Sequence, residues 1–310
     1  LKKSALKPPN AFKEQVSNWF LSMGFECSET SVVAEIFPVL TINLQHRRQL
    51  SLILIDMNSW LKTKVSVDWP ACIQYVREAR ENGLKIIVLW EDFWVNNQEI
   101  VQSRLVAVLG LAHKIPARLT KVRRIDKETA NHFLSENHLN NVVSAKYKYG
   151  LFLPSSYFRV LSTALMPDPT SAELLVAVAT FSFPRIFNKE TNPLRSHELI
   201  RFASLRGTNV VGGLDKLLQA FIRDKEPGDI MTYADVEWSA GDSYAKLGFK
   251  TIAQTQPEAI YLDPETRLRK SRAELAAASS HNYVQIMNMG SIKFVKPVSI
   301  PGQTDSEHVQ

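Results

Sequence analysis

Between Ser196 and Phe249 the chain passes through a strand-like run (HELIRFASLR), a glycine turn (GTNVVGG), a helical run (LDKLLQAFIRDK), a second strand (DIMTYADV) and GDSYAKLGF. A buried strand feeding a glycine turn and a helix start offers backbone N–H groups to one point, a geometry that suits a phosphate. SYAKLGF places Tyr244 on a short helix just ahead of another strand. That succession constrains the chain more than any bulk property does.

The 310 residues suffice for two domains, each with its own core. With 45% apolar and 22% charged residues and no low-complexity tract, the composition is that of a globular protein. No apolar run approaches the ~20 residues of a membrane span, so a soluble protein without a membrane partner is expected. Cys27 and Cys72 make no disulfide framework, and no Cys/His cluster has zinc spacing. A reducing compartment fits, and no metal is expected. The net charge of +6 favours a polyanion such as nucleic acid, although plain enzymes share that balance. The first residue is Leu1. A removed targeting peptide, and with it a mitochondrial or plastid location, therefore stands beside a cytoplasmic one as an expectation.

LKKSALKPPN reads as a basic tail. AFKEQVSNWFLSMGF has helical apolar spacing and stops at Gly24, VVAEIFPVLTINL is extended, and SLILID is a buried strand. Asp68 and Pro70 open a helix that Gly83 closes, KIIVLW is another buried strand, and a helix runs from about Asp92 into SRLVAVLGL. This alternation predicts a small α/β domain over 1–113. KIPARLTKVRR reads as a basic connector over 114–125. Its Lys114, Arg118, Lys121, Arg123 and Arg124 form a candidate nucleic-acid site or a plain solvated charge run. The second domain, 126–297, opens on a helix capped by Asp126 and continues with an antiparallel pair, KYKYGLFLP and ELLVAVATFSF. The Ser196–Phe249 succession follows, then AIYLD and NYVQIMNMGSIKFVKP; 298–310 reads as a flexible tail.

FLSENH, KYKYGLF, ATFSFPR, ELIRFASL, VVGGLDKLL, TYADVEWSAGDSYAKLGF and IMNMGSIKF occur in that order. Together they make 121–297 similar to the GNAT N-acyltransferases, within them to a subgroup near the phage DNA-modifying acyltransferases called Mom. The resemblance implies a mixed-sheet α/β (α+β) acyltransferase domain whose glycine turn holds the pyrophosphate of acetyl-CoA or another acyl-CoA. Asn209, Val210, Val211, Gly212 and Gly213 occupy that turn. Asn209 replaces the family's long donor and Leu214 a small residue, with Lys216 or Arg206 available to restore positive charge. Tyr244 matches the family tyrosine that protonates the departing thiolate, a step that suits a phenol with a pKa near ~10. Asp235 and Glu237 are candidates to orient or deprotonate the acceptor; Asp235 has the alternative of capping the next turn. His138 matches a subgroup histidine, as base or metal ligand, or is a dipole-compatible residue at a helix C-terminus. Arg185 and Arg201 are candidates for phosphate contacts, and Asn288 stands where the subgroup has an aspartate.

SLILIDMNSW, the following helix and GLKIIVLWEDFWVNNQEIVQSRL resemble the very-short-patch-repair and homing-endonuclease-like fold. The first domain is therefore expected to be restriction-endonuclease-like. A working site of that kind gathers carboxylates around Mg²⁺. Asp56 takes one acidic position, the other falls near Gln45, and Cys72 and Tyr75 stand where polar catalytic groups belong. The outline is that of a degraded nuclease kept for binding or scaffolding. Glu91 and Asp92 read as helix caps, and Trp60, Trp69, Trp90 and Trp94 as core, with a base-stacking surface as the alternative. Two functions fit the whole chain. One is an acyl-CoA-dependent N-acyltransferase joined to a nucleic-acid-binding module. The other is a non-enzymatic structural subunit of a nucleoprotein complex, organellar in one version, derived from a mobile-element enzyme.

Overall fold

Helix α1 (Ala11–Ser22) buries Phe12, Val16 and Phe20 at helical spacing and ends ahead of Gly24, whose φ is +84°. A computed structural model of the protein describes residues 11–33, 36–64, 67–140, 142–187, 193–276 and 282–298. The basic tail expected at 1–10 and all but one residue of the tail expected at 298–310 lie outside them. Strands β1 (Glu26–Val33), β2 (Phe37–Leu44) and β3 (Arg47–Ile55) form an antiparallel meander. β4 (Ile86–Trp90) joins β3 in parallel. Such a pair needs a crossover, which α2 (Met57–Thr63) and α3 (Trp69–Glu81) provide. Asp68 caps α3 by accepting from the Ala71 N–H, as its place before Pro70 predicts. Leu50–Ile55 and all of β4 are buried, which is why both read as unbroken apolar runs. The single helix expected from Asp92 onward is two, α4 (Glu91–Asn96) and α5 (Gln98–Val108), with a break at Asn97.

The chain then gives β5 (His113–Pro116), β6 (Lys121–Arg124), α6 (Lys127–Asn137), β7 (Tyr147–Pro154) and β8 (Glu173–Phe181). After β9 (Arg185–Phe187) come β10 (Leu194–Ser204), β11 (Thr208–Val211), α7 (Gly213–Lys225) and β12 (Asp229–Asp235). Next are α8 (Asp242–Lys246), β13 (Lys250–Gln254), β14 (Ala259–Leu262), β15 (Arg269–Lys270) and α9 (Arg272–Ala276). β16 (Val284–Met287) and β17 (Ser291–Pro297) close the described chain. A mixed sheet runs in the order β13-β17-β12-β10-β8-β7-β6, with β9 beside β10. Leu217, Leu218 and Phe221 of α7 are buried, and Phe221 stacks on Phe181 of β8 at 3.9 Å. Ala130, Phe133 and Leu134 of α6 pack with Val178 and Ala203.

The residues fall into two compact units that do not follow the chain in sequence. The first takes the chain up to Gln98 together with Ala234–Gly241 and Gln254–Ile292; the second takes Glu99–Tyr233, Asp242–Ala253 and the chain from Lys293. The sequential division at 113 and 126 misses both returning segments. The expected connector is also structured: β5 pairs in parallel with β11, and β6 is an edge strand antiparallel to β7. Its cations alternate with buried Ile115, Ala117 and Thr120, so the run KIPARLTKVRR has an inward face.

One feature of the larger sheet bears on function. β10 and β12 pair in parallel only from Ser196↔Asp229 to Glu198↔Met231. Both strands continue, β10 to Ser204 and β12 to Asp235, without further pairing to each other. β10 also carries a bulge between Leu199 and Arg201 where it pairs with β8. Bulges bend a strand and increase its twist, which is how neighbouring strands part.

Candidate functional site

The glycine turn is partly strand. Asn209, Val210 and Val211 belong to β11 and lie opposite Lys114, Ile115 and Pro116. Val210 is buried, its N–H 3.5 Å from Ser204 Oγ, while Asn209 and Val211 are exposed. Gly212 has φ +77°, the left-handed region, and precedes α7 with no side-chain cap. A Cβ on Gly213 would stand 2.9 Å from Val210 Cγ1. The turn thus requires both glycines on steric grounds. The N–H groups of the first turn of α7 have no intrahelical acceptor by geometry, and they carry the positive end of the helix dipole. The Lys216 ammonium is engaged by the chain itself, donating to the carbonyls of Ala117 and Thr120, and burial lowers its pKa. Arg206 is likewise engaged, pairing with Glu99 while its backbone N–H donates to Asn137 Oδ1 at 2.6 Å.

Tyr244, His138 and Arg201 belong to the same unit. Thr232 Oγ1 donates to the Leu199 carbonyl at 3.0 Å, just past the last paired residues. The Tyr244 ring packs on Phe249 and Phe294, each at 5.6 Å. Burial raises the Tyr244 pKa, opposed by Thr232 and by the charges of Arg104 and Arg201. The same two guanidiniums act on His138, which ends α6 with Nδ1 3.1 Å from the Asn140 carbonyl. Burial first, and then Arg201 and Arg104, hold the imidazole pKa down to about 3. His138 is therefore neutral at physiological pH, a hydrogen-bonding group and a weak base. Arg201 lies on β10 beyond the pairing, half-buried, and Glu198 is the carboxylate that acts on it. Arg104 was not singled out in the sequence. Its signal there is a charge set between buried Val101 and buried Leu105 in the apolar run of α5.

Asp235 and Glu237 belong to the first unit. Asp235 takes its capping alternative: its carboxylate accepts from the Glu237 N–H at 2.9 Å. Glu237 is 1% exposed and accepts from Trp90 Nε1 at 3.0 Å. Burial, and then the neighbouring Asp235, push its pKa up to about 8. A carboxyl closed in by packing cannot reach an acceptor amine, so Glu237 is withdrawn as a catalytic base. Beside it Asp92, 2% exposed, receives Arg269 on both oxygens at 2.7 and 3.1 Å. Glu91 pairs with Arg267 at 2.8 Å and accepts from the Met57 N–H. Neither acid caps α4 through its side chain; both are ion-pair partners of residues nearly 180 positions away in sequence. Asn288 Oδ1 accepts from the N–H groups of Glu258 and Gly290 and so fixes a turn.

The four tryptophans are core. Trp60, Trp69 and Trp90 form a triangle with ring separations of 5.5, 5.1 and 6.0 Å. Each indole N–H of the triangle is consumed, by the carbonyls of Gln285 and Asn288 and by Glu237. Trp94 is 1% exposed and donates to Gln15. None offers a face for stacking bases. Asp56 caps α2 through the Ser59 N–H, Gln45 sits exposed in the β2–β3 turn with φ +50°, and Tyr75 is partly exposed on α3. Cys72 is buried, its thiol pushed up to about 11 by burial and by Asp68. Among the described residues no group of three or more His, Cys, Asp or Glu side chains is placed to hold a metal ion. No described helix is long and apolar enough to cross a membrane.

Lys114, Arg118, Lys121, Arg123 and Arg124 are all exposed. Arg123 pairs with Glu173 and lies 3.8 Å over the Phe152 ring; Arg124 is 4.0 Å from Asp224. Arg185 is exposed on β9.

No protein-family model matches the chain, and no curated protein matches it. Solved structures that match include the ribosomal-protein-S18-alanine N-acetyltransferase from Escherichia coli, 11% identical, covering 61% of this chain and 99% of that one, with a TM-score of 0.35. The NatC complex bound to Gag peptide and CoA matches at 13% identity, covering 58% and 99%, with a TM-score of 0.33. A histone acetyltransferase HPA2-related acetyltransferase from Corynebacterium glutamicum matches at 14% identity, covering 59% and 99%, with a TM-score of 0.32. Overlaps this loose leave the function to the chain's own residues.

Proposed function

We propose that the second unit binds an acyl-CoA between the separated ends of β10 and β12 and transfers its acyl group to an amine. The observation that carries this reading is the loss of pairing after Glu198↔Met231. A strand edge freed within a sheet presents N–H and C=O groups in β spacing, and the amides of a pantetheine chain can occupy that edge as an added strand would. The uncapped start of α7 supplies N–H groups for the pyrophosphate. Tyr244, packed against Phe249 and Phe294, is the proton donor. The amine nitrogen attacks the thioester carbonyl, a C–N bond forms, the C–S bond breaks, and the sulfur takes the phenolic proton. The phenolate then recovers a proton from the attacking nitrogen, so one residue serves both transfers and Glu237 is not required. Most of the rate gain comes from holding two substrates in line.

The test is calorimetric titration with acetyl-CoA and with CoA, for the wild type and for Gly212→Glu. Micromolar binding that the substitution abolishes supports the reading; no heat from a folded wild type overturns it. In that event the second reading stands, a non-enzymatic subunit of a nucleoprotein assembly. It is favoured by how many candidate groups, Asp235, Glu237, Lys216 and Asp56, are absorbed in structural bonds. For the first unit the proposal is a nuclease-like scaffold, supported by its mixed four-stranded sheet with helical crossover and by acids spent on caps and ion pairs. Nucleic acid is the proposed partner of the exposed cations on β5, on β6 and in the turn between them. Its affinity should fall steeply with salt, and less steeply once Lys121 and Arg118 are neutralised.

A further inference from the structure

β9 shows both of its faces to solvent. Arg185, Ile186 and Phe187 are all exposed, and Phe183, just ahead of the strand, is 63% exposed. Soluble chains rarely leave large apolar side chains side by side in water, and such a patch marks a contact surface. β9 pairs antiparallel with β10, where Arg195 stands across from Ile186 and Ser196 across from Arg185. Side chains alternate along a strand, so Arg185 and Phe187 share one face while Ile186 and Arg195 share the other. Lys146 brings a third cation, its Nζ 4.6 Å from the centre of the Phe183 ring. Lys146 and Arg195 are exposed as well, and among the described residues no carboxylate forms an ion pair with Lys146, Arg185 or Arg195. Asp229, across from Ser196 on β12, keeps its Oδ1 buried.

Cations set among exposed rings, with no acid answering them, call for an anion that also carries planar groups. We propose that the β9–β10 hairpin, through Phe183, Arg185, Phe187, Arg195 and the neighbouring Lys146, binds single-stranded nucleic acid, its rings stacking on bases and its cations meeting phosphates. A duplex keeps its bases stacked on one another and offers these rings no partner. A lipid surface fits less well, because the Lys146 ammonium sits on the Phe183 ring and would be carried into the acyl layer with it. An acidic peptide answers the charges and leaves the rings unmatched. This surface goes beyond the acyl-CoA reading and does not need it. It shares the nucleic-acid partner proposed above but rests on other residues, and it adds contact with bases to contact with charge.

The test is fluorescence anisotropy of the full chain with a labelled oligothymidylate, an abasic strand of the same length and a duplex. The thymidylate should bind about ten-fold or more tighter than the abasic strand, the worth of a stacked base or two. Phe183→Ala and Phe187→Ala should each remove most of that preference. Both positions are exposed, so the melting temperature should stay where it is. Arg185→Gln and Arg195→Gln should weaken both strands alike and lower the salt slope by about 0.7 each. Equal affinity for the two strands, tighter binding of the duplex, or ring variants that bind as the wild type does overturns the inference. Ring-dependent binding to phosphatidylserine vesicles without binding to thymidylate also overturns it and assigns the patch to a membrane. If neutralising Lys121 and Arg118 abolishes binding while the ring variants keep it, this surface falls and the partner proposed above stands. No binding of any strand overturns both.

Discussion

The first unit buries two acids, Asp92 and Glu237, and gives each a partner. Asp92 gives both oxygens to Arg269, Glu91 takes Arg267, and Glu237 receives the Trp90 indole within a triangle of tryptophans. The second unit leaves less closed: β10 and β12 stop pairing after Glu198↔Met231, and α7 starts at Gly212 with no side-chain cap. A buried ion pair with its hydrogen bonds complete is a packing solution and asks for no visitor. Backbone groups freed at a gap in a sheet and at an uncapped helix start still have hydrogen bonds to make.

The contrast can be broken most forcefully at Arg269. In Arg269→Met the Asp92 carboxylate remains buried without its partner, and we expect a loss of about 3–5 kcal/mol in chemical denaturation. A loss below about 1 kcal/mol would show the pair to be solvated and the contrast false. Tyr244→Phe probes the other side: kcat should fall by about a hundred-fold with acyl-CoA affinity held, because the phenol acts in the chemical step. A fall in affinity with unchanged kcat would make the residue a packing group.

Glu237 sharpens the comparison through pH. Its folded pKa, about 8, lies above the ordinary 4.5, so between those values the folded chain holds a proton that the unfolded chain has lost. The first unit should therefore lose stability as pH rises from the ordinary value toward the folded one, and Glu237→Gln should flatten that slope. The measurement is the melting temperature across that range, with an expected gain of about a few degrees for the variant at the alkaline end. Asp56→Ala is the smallest test. It should cost about 1 kcal/mol, the worth of a helix cap, and added Mg²⁺ should stabilise neither protein. A Mg²⁺-dependent rise in melting temperature that Asp56→Ala removes would return this residue to a metal site.

Local signals in the sequence carried far. Asp68 with Pro70, Asp126 and the apolar runs of β3 and β4 marked their elements because caps and burial act on neighbours in the chain. The succession of β10, α7, β12 and α8 was legible for the same reason. What escaped depends on distant partners. β11 is a strand because β5, nearly a hundred residues earlier, supplies an edge, so GTNVVGG reads as a turn when seen alone. Glu237 looks like a free carboxylate until Trp90 and Arg269 are placed around it. Arg104 is hidden by the apolar helix that carries it.

The bonds from Trp60 and Trp69 to the carbonyls of Gln285 and Asn288 have a consequence for the order in which the protein is made. A ribosome releases the strands β1–β4 long before the residues that will accept those indole protons exist. Until roughly the last tenth of the chain emerges, a nascent first unit has a sheet but lacks the segments that finish its core. Such distant closure slows folding and leaves apolar surface waiting, a natural client state for chaperones. It also bears on how the gene can be cut: a fragment ending near Leu109 contains every tryptophan of the triangle and none of the backbone that completes it.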